Sequence, residues 1–326
     1  MQRLLILHVR GGMGRNVAGT AVARQIKAQY PDCVLHVVAS FPDVFVGLPF
    51  VDRVYPFTQN PLPDFYDNHR NFDVLDAEPY IDLQYRMGNQ HLVDTWCRRL
   101  SLNLPDDRRG TLTLYEGSEV EWAKRSIQSM NLGKTPVVAF QPFGGTPFSD
   151  ANQAGDVMRP KQVRDLPVET ANQIAAKLNA AGIAVVQISL PTEPQLQSTL
   201  KIQLPQGQVM QPRLLFALLQ QVQGLVGIDS FAQHAWAALK REGAVVLWGA
   251  TNPTNLGYSG NTNLSRKSAC STPHCNRPDS YMGDCMGNGQ PWRCPNPVCM
   301  NYDADEVVQA VRAVLQPAKE QESTPA

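Results

Sequence analysis

Leu4-Leu5-Ile6-Leu7-His8-Val9, followed by Arg10-Gly11-Gly12-Met13-Gly14-Arg15-Asn16 and then by Val17, Ala21, Val22, Ile26 and Tyr30 at helical spacing, is the stretch that decides the fold. A mostly apolar run of this kind is what a parallel strand covered on both faces requires. Pro31 stops the helix and Val34 to Ala39 reads as a second strand, completing a β-loop-α-β unit. The alternation continues outward. The pattern predicts a strand near Asp73 to Leu75 and helices over Gln90 to Leu100 and Ser118 to Met130; Pro56 to Pro63 reads as a proline-rich loop. Turn chemistry in Asn131-Leu132-Gly133-Lys134-Thr135-Pro136 divides the chain into residues 1–133 and 134–315, with 316–326 expected as a disordered tail.

In the second part the spacing predicts a strand at Val137 to Phe140, a helix at Val168 to Ala181, a strand at Ile183 to Ile188 and a helix at Arg213 to Val222. A strand at Leu225 to Ile228, a helix at Phe231 to Lys240 and a strand at Ala244 to Trp248 follow. Two α/β domains with Rossmann-like parallel sheets facing a cleft are therefore expected, with ligands at the carboxyl ends of the strands. Residues 250–300 lose periodicity and read as an extended loop or a small cross-linked appendage. Asp303-Ala304-Asp305-Glu306 resembles a capping box and opens a last helix whose apolar face is Val307, Val308, Val311 and Leu315.

Composition narrows the function classes. The chain has 326 residues, 43% hydrophobic and 18% charged, and its 29 basic residues balance 29 acidic ones. Such a chain can bury a sizeable core, and it lacks the global basic field that drives nucleic-acid coating. No apolar run is long enough to span a bilayer, and the start reads as a buried strand and not as a signal peptide. The expected compartment is the reducing cytoplasm, where contact with a membrane would be peripheral.

Two loops carry polar chemistry. After the first strand, Gly11, Gly12 and Gly14 with Arg15 and Asn16 can let a phosphate approach the backbone at a helix N-terminus. The dinucleotide fingerprint is incomplete, because its third glycine is Val17 and the second strand ends in Ala39-Ser40 with no acid for a ribose. In the second half, Val226-Gly227-Ile228-Asp229-Ser230-Phe231-Ala232-Gln233-His234 puts Asp229 at a strand end, Ser230 in position to cap the next helix and His234 one turn along. That cluster suits an anion such as a diphosphate; an N-cap beside a structural histidine is the plainer reading. The five tryptophans show no stacking array and read as packing residues. His8, His36, His69 and His91 read as structural.

The segment from Asp229 to His234 resembles the Asp-Ser/Thr-Gly-x-x-His motif of glycosyltransferase family 9, whose members include ADP-heptose:lipopolysaccharide heptosyltransferases. The likeness runs through most of the chain. Pro142-Phe143-Gly144-Gly145-Thr146, Arg164-Asp165-Leu166-Pro167, Leu190-Pro191-Thr192-Glu193 and Leu247-Trp248-Gly249-Ala250-Thr251-Asn252-Pro253 are similar to successive elements of that family's nucleotide domain. Gly47-Leu48-Pro49-Phe50-Val51-Asp52-Arg53-Val54 is similar to its Leu-Pro-x-Val-Asp-x-Val stretch. The resemblance implies a GT-B fold and transfer, with inversion and without a catalytic metal, of heptose or a related sugar from a nucleoside-diphosphate donor. The acceptor would be a glycan, a lipid-linked saccharide or a protein. It further implies that Glu193 meets the nucleotide ribose, Arg164 lies near the diphosphate, and Thr146, Ser230 and the amides around His234 cradle the phosphates.

Two positions depart from the family pattern. Phe231 stands where the motif has glycine, and Gly14-Arg15 aligns with the Gly-Asp pair whose aspartate deprotonates the acceptor. Arginine cannot be a base at neutral pH. Asp43 and Asp82 are the substitutes the sequence offers; the alternative is a non-catalytic sugar-nucleotide-binding or assembly protein that has lost its base. Five of the seven cysteines crowd one segment, Cys270-x4-Cys275-x9-Cys285-x8-Cys294-x4-Cys299. Paired thiolates at both ends suit a structural zinc or iron ion, while disulfides or free thiols are the other readings.

Overall fold

The computed structural model describes residues 3–57, 72–144, 164–190, 193–202, 211–266 and 298–316. Strand β1 (Leu4–Val9) pairs in parallel with β2 (Val34–Ala39) and β4 (Phe72–Leu75), and β2 pairs with β3 (Arg53–Pro56), giving the order β3-β2-β1-β4. The apolar run of β1 serves two faces. Leu5, Leu7 and Val9 point into the main core, whereas Leu4 and Ile6 pack with Val38 on the opposite side.

Helix α1 (Met13–Gln29) follows β1, and every residue from Arg15 to Ala23 in it is buried. A helix enclosed all round needs small residues where backbones come close, and Ala18, Gly19, Ala21 and Ala23 supply them. It ends at Tyr30, whose N–H reaches the Ile26 carbonyl at 2.8 Å before Pro31. Three further helices, α2 (Leu83–Arg86), α3 (Leu92–Arg99) and α4 (Glu121–Gln128), complete this half, the last preceded by a wide helical turn over Glu116–Val120.

The second sheet is also fully parallel, in the order β6-β5-β7-β8-β9, from β5 (Val137–Gln141), β6 (Ala184–Gln187), β7 (Gly224–Ile228), β8 (Val245–Trp248) and β9 (Thr262–Ser265). Its helices are α5 (Val168–Ala180), α6 (Pro212–Gln221), α7 (Phe231–Ala238), α8 (Pro253–Leu256) and α9 (Ala304–Leu315). The capping reading of the last helix holds, with Asp303 accepting the Asp305 N–H at 2.8 Å.

Strand order reverses once in each sheet, between β1 and β4 and between β5 and β7. A crevice opens at the carboxyl ends of such strands, where the loops diverge to opposite faces. Loops at these two reversals come together, because one apolar cluster runs through both halves from Leu7 and Trp96 to Val137, Phe216 and Trp236.

Three elements differ from the sequence pattern. The stretch 250–300 contains α8 and the edge strand β9; the sequence Thr-Asn-Leu-Ser hides the latter because only Leu264 packs inward and pairing to β8 supplies the rest. Strand β3 forms on the edge of the first sheet, ending at a proline, where a missing N–H is tolerated. Ser230 precedes α7 without a side-chain capping bond; Gln141, from the end of β5, instead accepts the Ala232 N–H at 3.1 Å. Of the expected loop 56–63 and tail 316–326, residues 58–63 and 317–326 lie outside the described residues. No helix among those described is long and apolar enough to cross a membrane.

Polar groups also bind the halves. Arg213 on α6 pairs with Glu119 through both carboxylate oxygens, one at 2.9 Å, and donates to the carbonyls of Asp43, Val46 and Thr113. Both partners are under 10% exposed. Removing one member of a buried pair strands the other in a poorly solvating interior. Arg213→Ala is expected to lower stability in urea unfolding by about 3–5 kcal/mol, and Arg213→Met combined with Glu119→Leu by much less.

Candidate active site

At the first reversal, Gly12 precedes α1 in extended conformation and Asn16 stitches the loop, its amide donating to the Gly11 and Gly12 carbonyls at 3.2 and 2.9 Å and its oxygen accepting the Phe41 N–H. Asn16 is thus fully engaged in holding the loop. Gly14 faces the second half: a Cβ there would lie 2.8 Å from His234 Cδ2 and 3.2 Å from the Phe231 Cα. The glycine allows α1 and α7 to meet end against end.

Arg15 packs among aromatic rings. Its guanidinium lies 5.0 Å from the ring centres of both Tyr80 and Trp96, and Nη1 donates to Glu78 Oε2 at 2.8 Å. Stacking on aromatic faces offsets the desolvation of a buried guanidinium. Glu78 follows β4, accepts the Tyr80 N–H at 3.1 Å through Oε1, and keeps 42% of its side chain exposed. Burial pushes the Tyr80 phenol up to about 12 despite the opposing pull of Arg15, so it remains a neutral hydrogen-bond donor.

From the second reversal come Asp229 and Ser230. Gln233 donates to Asp229 Oδ1 at 3.2 Å, and Arg164 donates to the Asp229 carbonyl at 3.3 Å. Gln141 links its amide to Ser230 Oγ at 3.0 Å. His234 shares a 2.9 Å hydrogen bond with Tyr258, whose ring also meets His91. Burial lowers His234 to about 4, partly opposed by Asp229 and reinforced by Arg164, and burial together with Arg108 lowers His91 to about 3. Both rings are neutral at pH 7.

Several buried polar atoms around this junction have no hydrogen-bond partner among the described residues: Arg15 Nε, Arg164 Nε, Trp96 Nε1, Tyr85 Oη and Asp229 Oδ2. Native interiors leave few such atoms, and a group of them points to a ligand-facing surface. Trp96 is buried in the core, as expected, with its ring against the Arg15 guanidinium. Trp236 and Trp248 are buried within the core as expected.

The other candidates are placed as follows. Asp82 caps α2 by accepting the Gln84 N–H at 3.0 Å and pairs with Arg98 and Arg99. Asp43 is exposed on the turn at Pro42–Val44, its carbonyl held by Arg213. Glu193 is buried and accepts the Leu190 N–H at 2.8 Å. Thr146, Cys270, Cys275, Cys285 and Cys294 lie outside the described residues; Cys299 lies on the turn Val298–Met300 beside the second core. Among the described residues no three His, Cys, Asp or Glu side chains gather to hold an ion. Glu78, Tyr80, Tyr85 and Gln141 were invisible to motif reasoning, although a carboxylate just past a strand at a sheet reversal is a positional signal.

No protein-family profile matches the chain, and no curated protein sequence does. Solved structures do. A glycosyl transferase family 9 protein from Veillonella parvula DSM 2008 superposes with TM-score 0.67 at 13% identity, over 96% of this chain and 97% of that one. ADP-heptose LPS heptosyltransferase II of E. coli gives 0.62 at 14% identity, over 96% and 98%. The chain has the GT-B fold. The iron-containing dodecameric glycosyltransferase TibC from enterotoxigenic E. coli H10407 superposes with TM-score 0.62 at 14% identity, over 96% of this chain and 76% of that one.

The buried neutral histidines at the GT-B domain junction give a pH signature. An unfolded histidine titrates near 6.5, so protons bind the unfolded chain first as pH falls, and stability is lost between about 6.5 and 4. The melting temperature is expected to drop over that window, and the drop to shrink in His234→Gln, as followed by calorimetry at stepped pH.

Proposed function

We propose that the protein is a glycosyltransferase that moves heptose or a related sugar from an ADP-heptose-like donor to a glycan, lipid-linked or protein acceptor, with inversion and without metal in the chemical step. The observation that carries this reading is the gathering of donors with no partner among the described residues, Arg15 Nε, Arg164 Nε and Trp96 Nε1, where the two sheet reversals meet. An oxygen-rich anion satisfies such donors, and a cationic guanidinium stabilises the charge that grows on a departing diphosphate. In this reading Arg164, Ser230 and Thr146 hold the diphosphate and Glu193 the ribose, with residues 1–133 on the acceptor side and 134–315 on the donor side.

One observation favours the alternative, a sugar-nucleotide-binding protein without turnover. The Ala232 N–H at the start of α7, an amide suited to a phosphate, is occupied by Gln141, and Phe231 adds bulk beside it. Calorimetry with ADP and with ADP-heptose, followed by measurement of ADP release, separates the two. The enzyme reading expects uptake and release, with Arg164→Ala weakening uptake about tenfold or more. Uptake without release supports the binder, and absence of uptake defeats both.

For the cysteine segment we propose a structural iron or zinc ion, supported by the donor chemistry of four or more thiols within residues 270–299 and by the iron content of TibC. Such an ion would cross-link the segment and take no part in transfer. Elemental analysis of protein purified under reducing conditions should find about one equivalent of iron or zinc; a value well below about half would remove it.

A further inference from the structure

We propose that Glu78 is the general base of the transfer reaction, and that Arg15 is the residue that positions it. The proposal rests on the glycosyltransferase reading above and deepens it. Arginine in the first turn of α1 leaves that turn without an acid, but the opposite side of the same sheet reversal, just past β4, supplies one. The Arg15–Glu78 bond of 2.8 Å spans the gap.

Asp82, Asp94 and Asp76 are bound elsewhere. The Asp82 side chain is 10% exposed and bound by two arginines while capping α2, and that of Asp94 is 6% exposed and held by Arg108. Asp76, the nearest rival, accepts from Arg10 and His8, and Arg10 in turn lies over Phe57, away from the aromatic pair that holds Arg15. Glu78 alone among these combines an open side chain with a direct bond to the residue that enters the junction. Its neighbour Tyr80 senses Asp229 and Arg164 of the second half as well as Arg15 and Glu78, which places this corner beside the donor-side residues.

The step balances without a co-reactant. A Glu78 oxygen takes the proton of the acceptor hydroxyl, the freed oxygen pair forms the bond to the anomeric carbon, and the bond from that carbon to the diphosphate breaks. Its electron pair leaves on the nucleoside diphosphate. Glu78 then returns its proton to solvent through its exposed side. Arg15, clamped between two rings, fixes the position of the carboxylate.

The test uses the full chain with ADP-heptose as donor and water as acceptor, reading ADP release alongside donor uptake by calorimetry. Glu78→Gln is expected to keep uptake and lose release by about 100-fold or more, with Glu78→Asp recovering part of it. Arg15→Met is expected to slow release more than it weakens uptake, with Arg15→Lys recovering part of the rate. Asp76→Asn should release ADP as the parent does. Release unchanged in Glu78→Gln, or lost only in Asp76→Asn, overturns the assignment, as does a parallel loss of uptake. A parent protein that takes up donor without release overturns the enzyme reading and this base with it, and is distinguished from a failed base by the parent's own rate.

Discussion

Residue 14 has no side chain, and this lets the first turn of α1 lie against Phe231 and His234 at the start of α7, closer than any Cβ would permit. The two sheets consequently share one apolar cluster and do not merely sit side by side. Hydrophobic burial is non-directional, so it holds the halves together without fixing their registry. The small-residue contact fixes it, and with it the distance between the loops that carry Arg15 and Asp229.

Directional bonds then lock that arrangement. Asn255 donates to the carbonyls of Tyr85 and Gln90, both at 2.8 Å, so the segment after β8 is tied to the helices of the first half. Arg213 performs the same service on the other flank through Glu119 and three backbone carbonyls. Because these groups are buried, each bond left unmade would expose a desolvated charge or amide, which makes alternative dockings of the two halves costly.

The junction is electrostatically divided. Arg15 and Arg164 bring positive charge, while His91 and His234 stay neutral and Tyr80 and Tyr85 stay protonated, burial raising Tyr85 well above its ordinary value. Fixed cations beside neutral donors suit a negatively charged, hydroxyl-rich ligand. A set of titrating groups in the same place would lose its pattern of charge with modest changes of pH.

Periodicity alone determined the parallel α/β architecture, because β1, β5, β7 and β8 are enclosed on both faces and enclosure leaves an apolar run in the sequence. Edge strands β3 and β9 escaped it, since half their surroundings are polar. Asp229 and Ser230 stand out in the sequence because they form a local motif at a strand end, and Arg164 stands out through the family resemblance. Glu78 was not, lying 63 positions from Arg15 along the chain. Nor could the sequence indicate that Gln141, 91 positions from Ala232, would occupy the helix N-terminus that Ser230 was placed to cap. Local pattern records which faces of a segment are buried; which distant side chain fills a given hydrogen-bond position is decided only when sheets and helices bring those positions within 3 Å or so of each other.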